Sequence, residues 1–196
     1  MKVGLLLGSF NPIHQGHLLM ARYWLNETDI AQLWLVVSPQ NPHKPSQELA
    51  KAEHRLTMAK LATHGDPHVQ VSDIEFSLPL PSYTIQTLNT LRKEHPDKEW
   101  FLLMGLDTAH TLPSWKEGMR ILQEWHVWVY PRGDTSLYTP PQGRFVKYFA
   151  KAPRIDLSAT QIRKYVKSGL SIRYLVPPPV EEYIHAQRIY YSESSA

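Results

Sequence analysis

The chain has 196 residues, 42% of them hydrophobic and 20% charged, which fits one soluble globular domain and excludes disordered and fibrous classes. A formal charge of +3 with a pI near 9.0 is too mild to argue for nucleic acid over phosphate-bearing small molecules, and the lack of cysteine excludes disulfides, Cys-type zinc sites and thiol catalysis. The opening MKVGLLLG is too short for a signal peptide and no stretch nears the roughly 18 apolar residues of a membrane span, so a cytoplasmic protein without a membrane partner is expected.

Apolar runs alternate with helix-period stretches along the chain. Residues 2–8 and 33–38 read as short, continuously apolar strands of the doubly covered parallel type, with a helix from about Gly16 between them. Helical spacing recurs over 48–63, where Leu49, Ala52, Leu56, Ala59 and Ala62 share a face. Residues 69–76 alternate like a strand near an edge. Ser82 is placed to cap a helix through Leu91, and 100–104 form a buried strand ending at Gly105. A helix over 115–122 and a strand over 127–130, halted by Pro131, lead into the loop PRGDTSLYTPPQGR at 131–144. A short strand over 145–149 follows, then a helix over 159–167 capped by Ser158 and stopped by Gly169. A last helix runs from 177 to about 188, before a polar tail. No repeat or linker divides the chain, so 1–196 reads as one domain with a C-terminal helical segment at about 157–190.

This alternation predicts an α/β fold: a Rossmann-like, doubly wound, mainly parallel sheet with right-handed crossovers and helices on both faces. Such sheets bind ligands beyond the carboxyl ends of their strands, where strand order reverses. Chemistry is therefore expected at 8–17, 38–44, 105–110 and 131–133.

The first of these segments is GSFNPIHQGH, residues 8–17. Gly8 permits close backbone approach, Pro12 stiffens the turn, and the helix start offers free N–H groups to an anion. His14 and His17, three apart, would add imidazole donors on one side. The same residues also fit a turn cap and a core histidine. No G-x-x-x-x-G-K-[ST], G-x-G-x-x-G or H-E-x-x-H pattern is present, which weighs against Walker-type, hydride-transfer and zinc readings. Near the other end, DLSATQIRKYVKSG at 156–169 sets Ser158, Thr160 and Arg163 at a second helix start, as an anion site or as a capped surface helix.

GSFNPIHQGH resembles the G-x-F-x-P-x-H-x-G-H signature of the nucleotidyltransferase superfamily with the H-x-G-H motif. LSATQIR resembles that superfamily's I-S-x-T-x-[IV]-R motif, with Leu157 at the usual Ile position. The resemblance implies ATP binding by Gly8, Ser9, Phe10, His14, His17, Gly105, Asp107, Ser158, Thr160 and Arg163. His14, His17, Lys44 and Arg163 would be the catalytic group that meets charge on the phosphates. Magnesium would arrive with ATP, with no protein metal site.

Four further blocks resemble the nicotinate mononucleotide adenylyltransferase family: SPQNPHKP at 38–45, SYTIQTL at 82–88, GLDTAHTLPSWKEGMRIL at 105–122 and YLVPPPVEEYI at 174–184. They imply that Ser82, Tyr83, Thr84, Trp115 and Lys44 bind the mononucleotide, with Trp115 as a stacking face for its pyridine ring. Ser82 could equally be an N-cap, Asp107 a cap, Trp115 packing and Lys44 solvated surface. Other readings are a phosphopantetheine adenylyltransferase, a cytidylyltransferase, or a non-catalytic nucleotide- or RNA-binding relative. The expected partners are small molecules rather than nucleic acid, and a homo-oligomer is allowed.

Overall fold

The computed structural model describes residues 1–40 and 49–192. Six strands form a single sheet: β1 (Lys2–Gly8), β2 (Gln32–Val37), β3 (Val69–Ser72), β4 (Glu99–Gly105), β5 (His126–Tyr130) and β6 (Val146–Tyr148). Their order is β3-β2-β1-β4-β5-β6, and every neighbouring pair is parallel. This is the doubly wound topology, with its switch point between β1 and β4.

Residues alternate across the sheet and build two cores. On one face, Leu6, Leu33, Leu35, Phe101, Leu103 and Trp128 pack with α1 (Gln15–Glu27), α2 (Ala52–Thr63), α6 (Ala159–Lys167) and α7 (Pro178–Ala186). On the other, Val3, Leu5, Val36, Leu102, Met104 and Val129 pack with α3 (Thr84–Glu94) and α5 (Gly118–Glu124), and with Leu106 and Ala109 of the short α4 (Leu106–Ala109). The period of two explains why central strands read as continuous apolar runs: both faces are covered.

The register creates the site. β1 pairs with β2 as far as Gly8↔Val37, but with β4 only from Lys2↔Glu99 to Leu5↔Leu102. Beyond Leu5 and Leu102 the two central strands part. A cleft of about 1050 Å³ opens between their carboxyl ends.

Several expected boundaries differ. The edge strand β3 stops at Ser72, and Ile74–Ser77 is a 3₁₀ turn. The cap of α3 is Tyr83, not Ser82, because the Ser82 hydroxyl donates to Glu75 Oε2 at 2.6 Å. The helix expected over 115–122 is broken into a 3₁₀ turn at Leu112–Ser114 and α5 from Gly118, with Trp115 in the bend between them. Helix α2 begins at Ala52. Among the described residues, no helix is long and apolar enough to cross a membrane.

Candidate active site

Every candidate named from the sequence except Lys44 lines this one cleft; Lys44 lies outside the described residues. The walls come from the ends of β1, β4 and β5 and from the starts of α1, α3 and α6.

At the β1 end, Phe10 turns the chain with φ of 44°, a left-handed conformation unusual for a bulky residue. Its buried ring lies where a side chain on Gly8 would project, 3.2 Å from that Cβ position. His14 caps α1, and its backbone N–H donates to His17 Nδ1 at 3.2 Å. The two imidazoles face each other at 3.8 Å between centroids, tilted by 32°. Gly16 completes the arrangement, because a Cβ there would lie 3.0 Å from Cε1 and Nδ1 of His14. Burial, with a smaller push from Arg132, lowers the His14 pKa from 6.5 to about 4. That imidazole is therefore neutral near pH 7 and donates from one nitrogen only. Ser9 is 3% exposed, and its hydroxyl has no hydrogen-bond partner among the described residues.

Asn11 joins the two ends of the chain. Arg163 Nη1 donates to the Asn11 carbonyl at 3.0 Å, and Arg163 Nη2 reaches Thr160 Oγ1 at 3.4 Å. Ser158 Oγ accepts from the Gln161 N–H at 3.2 Å and caps α6 as expected. The Asn11 side-chain oxygen accepts from the Ala50 N–H at 3.1 Å and from the Tyr190 hydroxyl at 2.8 Å. Burial pushes the Tyr190 phenol upward, against the opposing pull of Arg163 and Arg55. The segment expected as a polar tail thus reaches back to the first turn.

Arg55 was invisible as a site residue because an arginine in a helix reads as solvent-facing. It is 1% exposed and ties four backbone carbonyls together: Ser9 at 2.7 Å, Ser38 at 2.6 Å, Pro39 at 2.6 Å and Ala50 at 2.9 Å. Burial lowers its pKa from the ordinary value, with Tyr190 and Glu53 opposing the shift. The loops after β1 and β2 are bound to each other through this one guanidinium.

On the β4 side, Asp107 is engaged rather than open: Arg132 Nε contacts its two oxygens at 2.8 and 3.0 Å, and Arg132 Nη2 reaches Thr108 Oγ1 at 3.0 Å. Burial works against the Arg132 charge, but Tyr130 and Asp107 more than offset it and hold its pKa up. Gly105 is glycine for the same pair, since a Cβ there would lie 2.7 Å from Asp107 Oδ1 and 2.8 Å from Arg132 Nε. The position of Arg132 directly after the strand-ending Pro131 was the signal for it.

At the far end of the cleft, buried Glu75 accepts from Ser82 and from Thr87, whose Oγ1 lies 2.7 Å from Oε1. Together they fix the segment entering α3. Trp115 is half-buried and its indole N–H donates to Thr111 Oγ1 at 2.9 Å. The cleft thus has a basic end, with His14, His17, Arg132 and Arg163, and an aromatic end with Tyr83 and Trp115.

A sequence profile of cytidylyltransferase-like proteins matches residues 5–165. A Cytophaga hutchinsonii protein described as a probable nicotinate-nucleotide adenylyltransferase is 43% identical over 190 residues, spanning 97% of this chain and 98% of its own. A Flavobacterium psychrophilum protein of the same description is 40% identical over 194 residues, spanning 97% and 99%. In fold, the chain is similar to the Plasmodium falciparum nicotinic acid mononucleotide adenylyltransferase complexed with NaAD, with a TM-score of 0.78 over 96% of this chain and 97% of that one at 20% identity. The chain belongs to the cytidylyltransferase-like family and, within it, to the nicotinate-nucleotide adenylyltransferases.

Proposed function

We propose that the chain transfers the adenylyl group of ATP to nicotinate mononucleotide, forming nicotinate adenine dinucleotide and pyrophosphate in NAD biosynthesis. The observation that carries this reading is the 3.0 Å bond from Arg163 to the Asn11 carbonyl, which joins two anion-binding motifs 152 residues apart into one wall. Relatives over nearly the whole chain carry the same activity in their names, and the similar Plasmodium fold was solved with the product NaAD.

The reaction is a direct displacement. A 5′-phosphate oxygen of the mononucleotide forms a bond to the α-phosphorus of ATP, and the bond from that phosphorus to the α,β-bridging oxygen breaks. The electron pair leaves with pyrophosphate. A phosphate dianion is already a nucleophile, so the protein has no proton to abstract and acts by alignment and charge neutralisation. In this reading His14, His17, Ser158, Thr160 and Arg163 hold the triphosphate, with Lys44 as a further phosphate ligand. Gly8, Ser9, Phe10, Gly105 and Asp107 shape the nucleotide site. Ser82, Tyr83, Thr84 and Trp115 receive the acceptor. Asp107, held by Arg132, remains able to accept from a ribose hydroxyl through its other lone pairs. Magnesium would arrive with the substrate as MgATP, ligated by phosphate oxygens and water.

Pyrophosphate release from ATP with nicotinate mononucleotide, nicotinamide mononucleotide or phosphopantetheine in parallel tests the reading. Fastest turnover with nicotinate mononucleotide is expected, and preference for phosphopantetheine refutes it.

A further inference from the structure

The acceptor end of the cleft carries a cation, Lys116, that pairs with no carboxylate among the described residues. We propose that Lys116 is a specificity-determining residue, its ammonium group favouring a mononucleotide that bears a ring carboxylate over one that bears the neutral amide. This inference rests on the reading of the cleft given above and names a residue that would set its choice of acceptor.

Lys116 lines the cleft beside Trp115 and Tyr83. Its Nζ lies 4.4 Å from the centroid of the Tyr83 ring, a cation–π contact that parks the ammonium at the pocket wall and leaves its N–H donors for an oxygen acceptor. The bend carrying it is tightly fixed. The Trp115 N–H donates to the Leu112 carbonyl at 3.1 Å, and the Gly118 N–H donates to the Trp115 carbonyl at 2.8 Å. A Cβ on Gly118 would fall 1.8 Å from the Leu112 oxygen, so no side chain is admitted there.

The nearby carboxylates are otherwise committed. Glu117, next in sequence, turns away to Arg120 Nη1 at 2.9 Å. Glu75, the buried acid at this end, has one oxygen held by Ser82 at 2.6 Å and the other by Thr87 at 2.7 Å. A ring carboxylate and a ring carboxamide have nearly the same size and planarity, so shape discriminates poorly between them. Charge discriminates well: a carboxylate offers the ammonium two anionic acceptors, whereas an amide offers one neutral acceptor and an NH₂ that repels it.

The test compares the chain with its Lys116→Met and Lys116→Arg variants. At saturating MgATP, kcat/KM is measured for nicotinate mononucleotide and for nicotinamide mononucleotide. Lys116→Met is expected to lower the ratio of the two by about tenfold, mainly through KM for nicotinate mononucleotide, as fits one ion contact in a half-wet pocket. Lys116→Arg keeps the charge and should hold the ratio within about threefold of the parent. An unchanged ratio in Lys116→Met, or an equal loss with both substrates, overturns the proposal while leaving the adenylyl-transfer reading intact. Preference of the parent chain for a different acceptor overturns that reading, and the inference falls with it. Lys116 is exposed, so the variants are expected to fold.

Discussion

Replacing Arg55 by methionine keeps an unbranched apolar stem and deletes every guanidinium donor to the loops after β1 and β2. Four carbonyl oxygens then lose their partner: Ser9, Ser38, Pro39 and Ala50. A buried acceptor left unsatisfied costs about 1–3 kcal/mol, so the unrelieved total would approach the whole stability of a domain this size. Two effects reduce it. The guanidinium, 1% exposed and without a carboxylate partner among the described residues, no longer suffers its own desolvation, and water can enter to meet part of the demand. A net loss of about 3–4 kcal/mol is expected, comparable to breaking a buried ion pair. Urea denaturation with linear extrapolation reads it directly, provided the m-value is unchanged. Arg55→Lys should recover only part, because one ammonium cannot span carbonyls on both loops. A loss below about 1 kcal/mol for Arg55→Met would refute the claim that this guanidinium is what binds the loops together.

Three other perturbations have definite outcomes. His17→Ala should lower turnover by about two decades or more, on the order of 3 kcal/mol of transition-state stabilisation, with stability changed by only about 1 kcal/mol from the lost cap contact. Steady-state pyrophosphate release with a parallel thermal melt measures both; near-normal turnover would sink the phosphate role. Trp115→Ala should raise KM for the mononucleotide about tenfold and leave KM for ATP nearly unchanged; the reverse pattern places the acceptor elsewhere. Finally, the His14 pKa of about 4 in the fold lies below its ordinary 6.5. Between those values the unfolded chain binds a proton that the native state does not, so stability falls as pH drops from about 6.5 to 4 and is flat above. The contribution is about 3 kcal/mol over that window. Denaturation at pH 4.5 and 7.5 should show a smaller difference for His14→Asn than for the parent, and an equal difference is the adverse result.

What the sequence made legible followed from local rules. β1, β2, β4 and β5 were readable because their apolar runs end at Gly8, Ser38, Gly105 and Pro131 in turn, and α6 because Ser158 and Gly169 punctuate it. The switch-point rule then placed His14 and Asp107 near one another without any contact being known, while Trp115 was reached only through the resemblance. The losses have a common cause, which is that their partners are far away or carry no residue signature. Arg55 binds carbonyls, which every residue possesses. Tyr190 finds Asn11 across 179 residues. Ser82 has the residue type of a cap, but a buried carboxylate seven residues earlier needs its proton more. The helix expected through Trp115 fails because Glu117 takes a left-handed φ of 54° just before α5, and the bend ahead of it brings Trp115 and Lys116 to the cleft.

Two of the glycines lining the cleft obey one rule. Gly16 is small because the His14 ring occupies the space of its Cβ, and Gly105 is small because Asp107 and Arg132 occupy the space of its own. In each case a polar group is folded back over the backbone at a strand-to-helix junction, and any larger residue would push it out of the cleft. The spacing of H-x-G-H follows from this packing. His17 stands at the third position of α1 so that its Nδ1 can accept from the His14 N–H, and the glycine between them lets the two rings close to 3.8 Å. Burial, with a smaller push from Arg132, keeps the His14 ring neutral, so it meets its neighbours as a hydrogen-bonding group rather than as a charge.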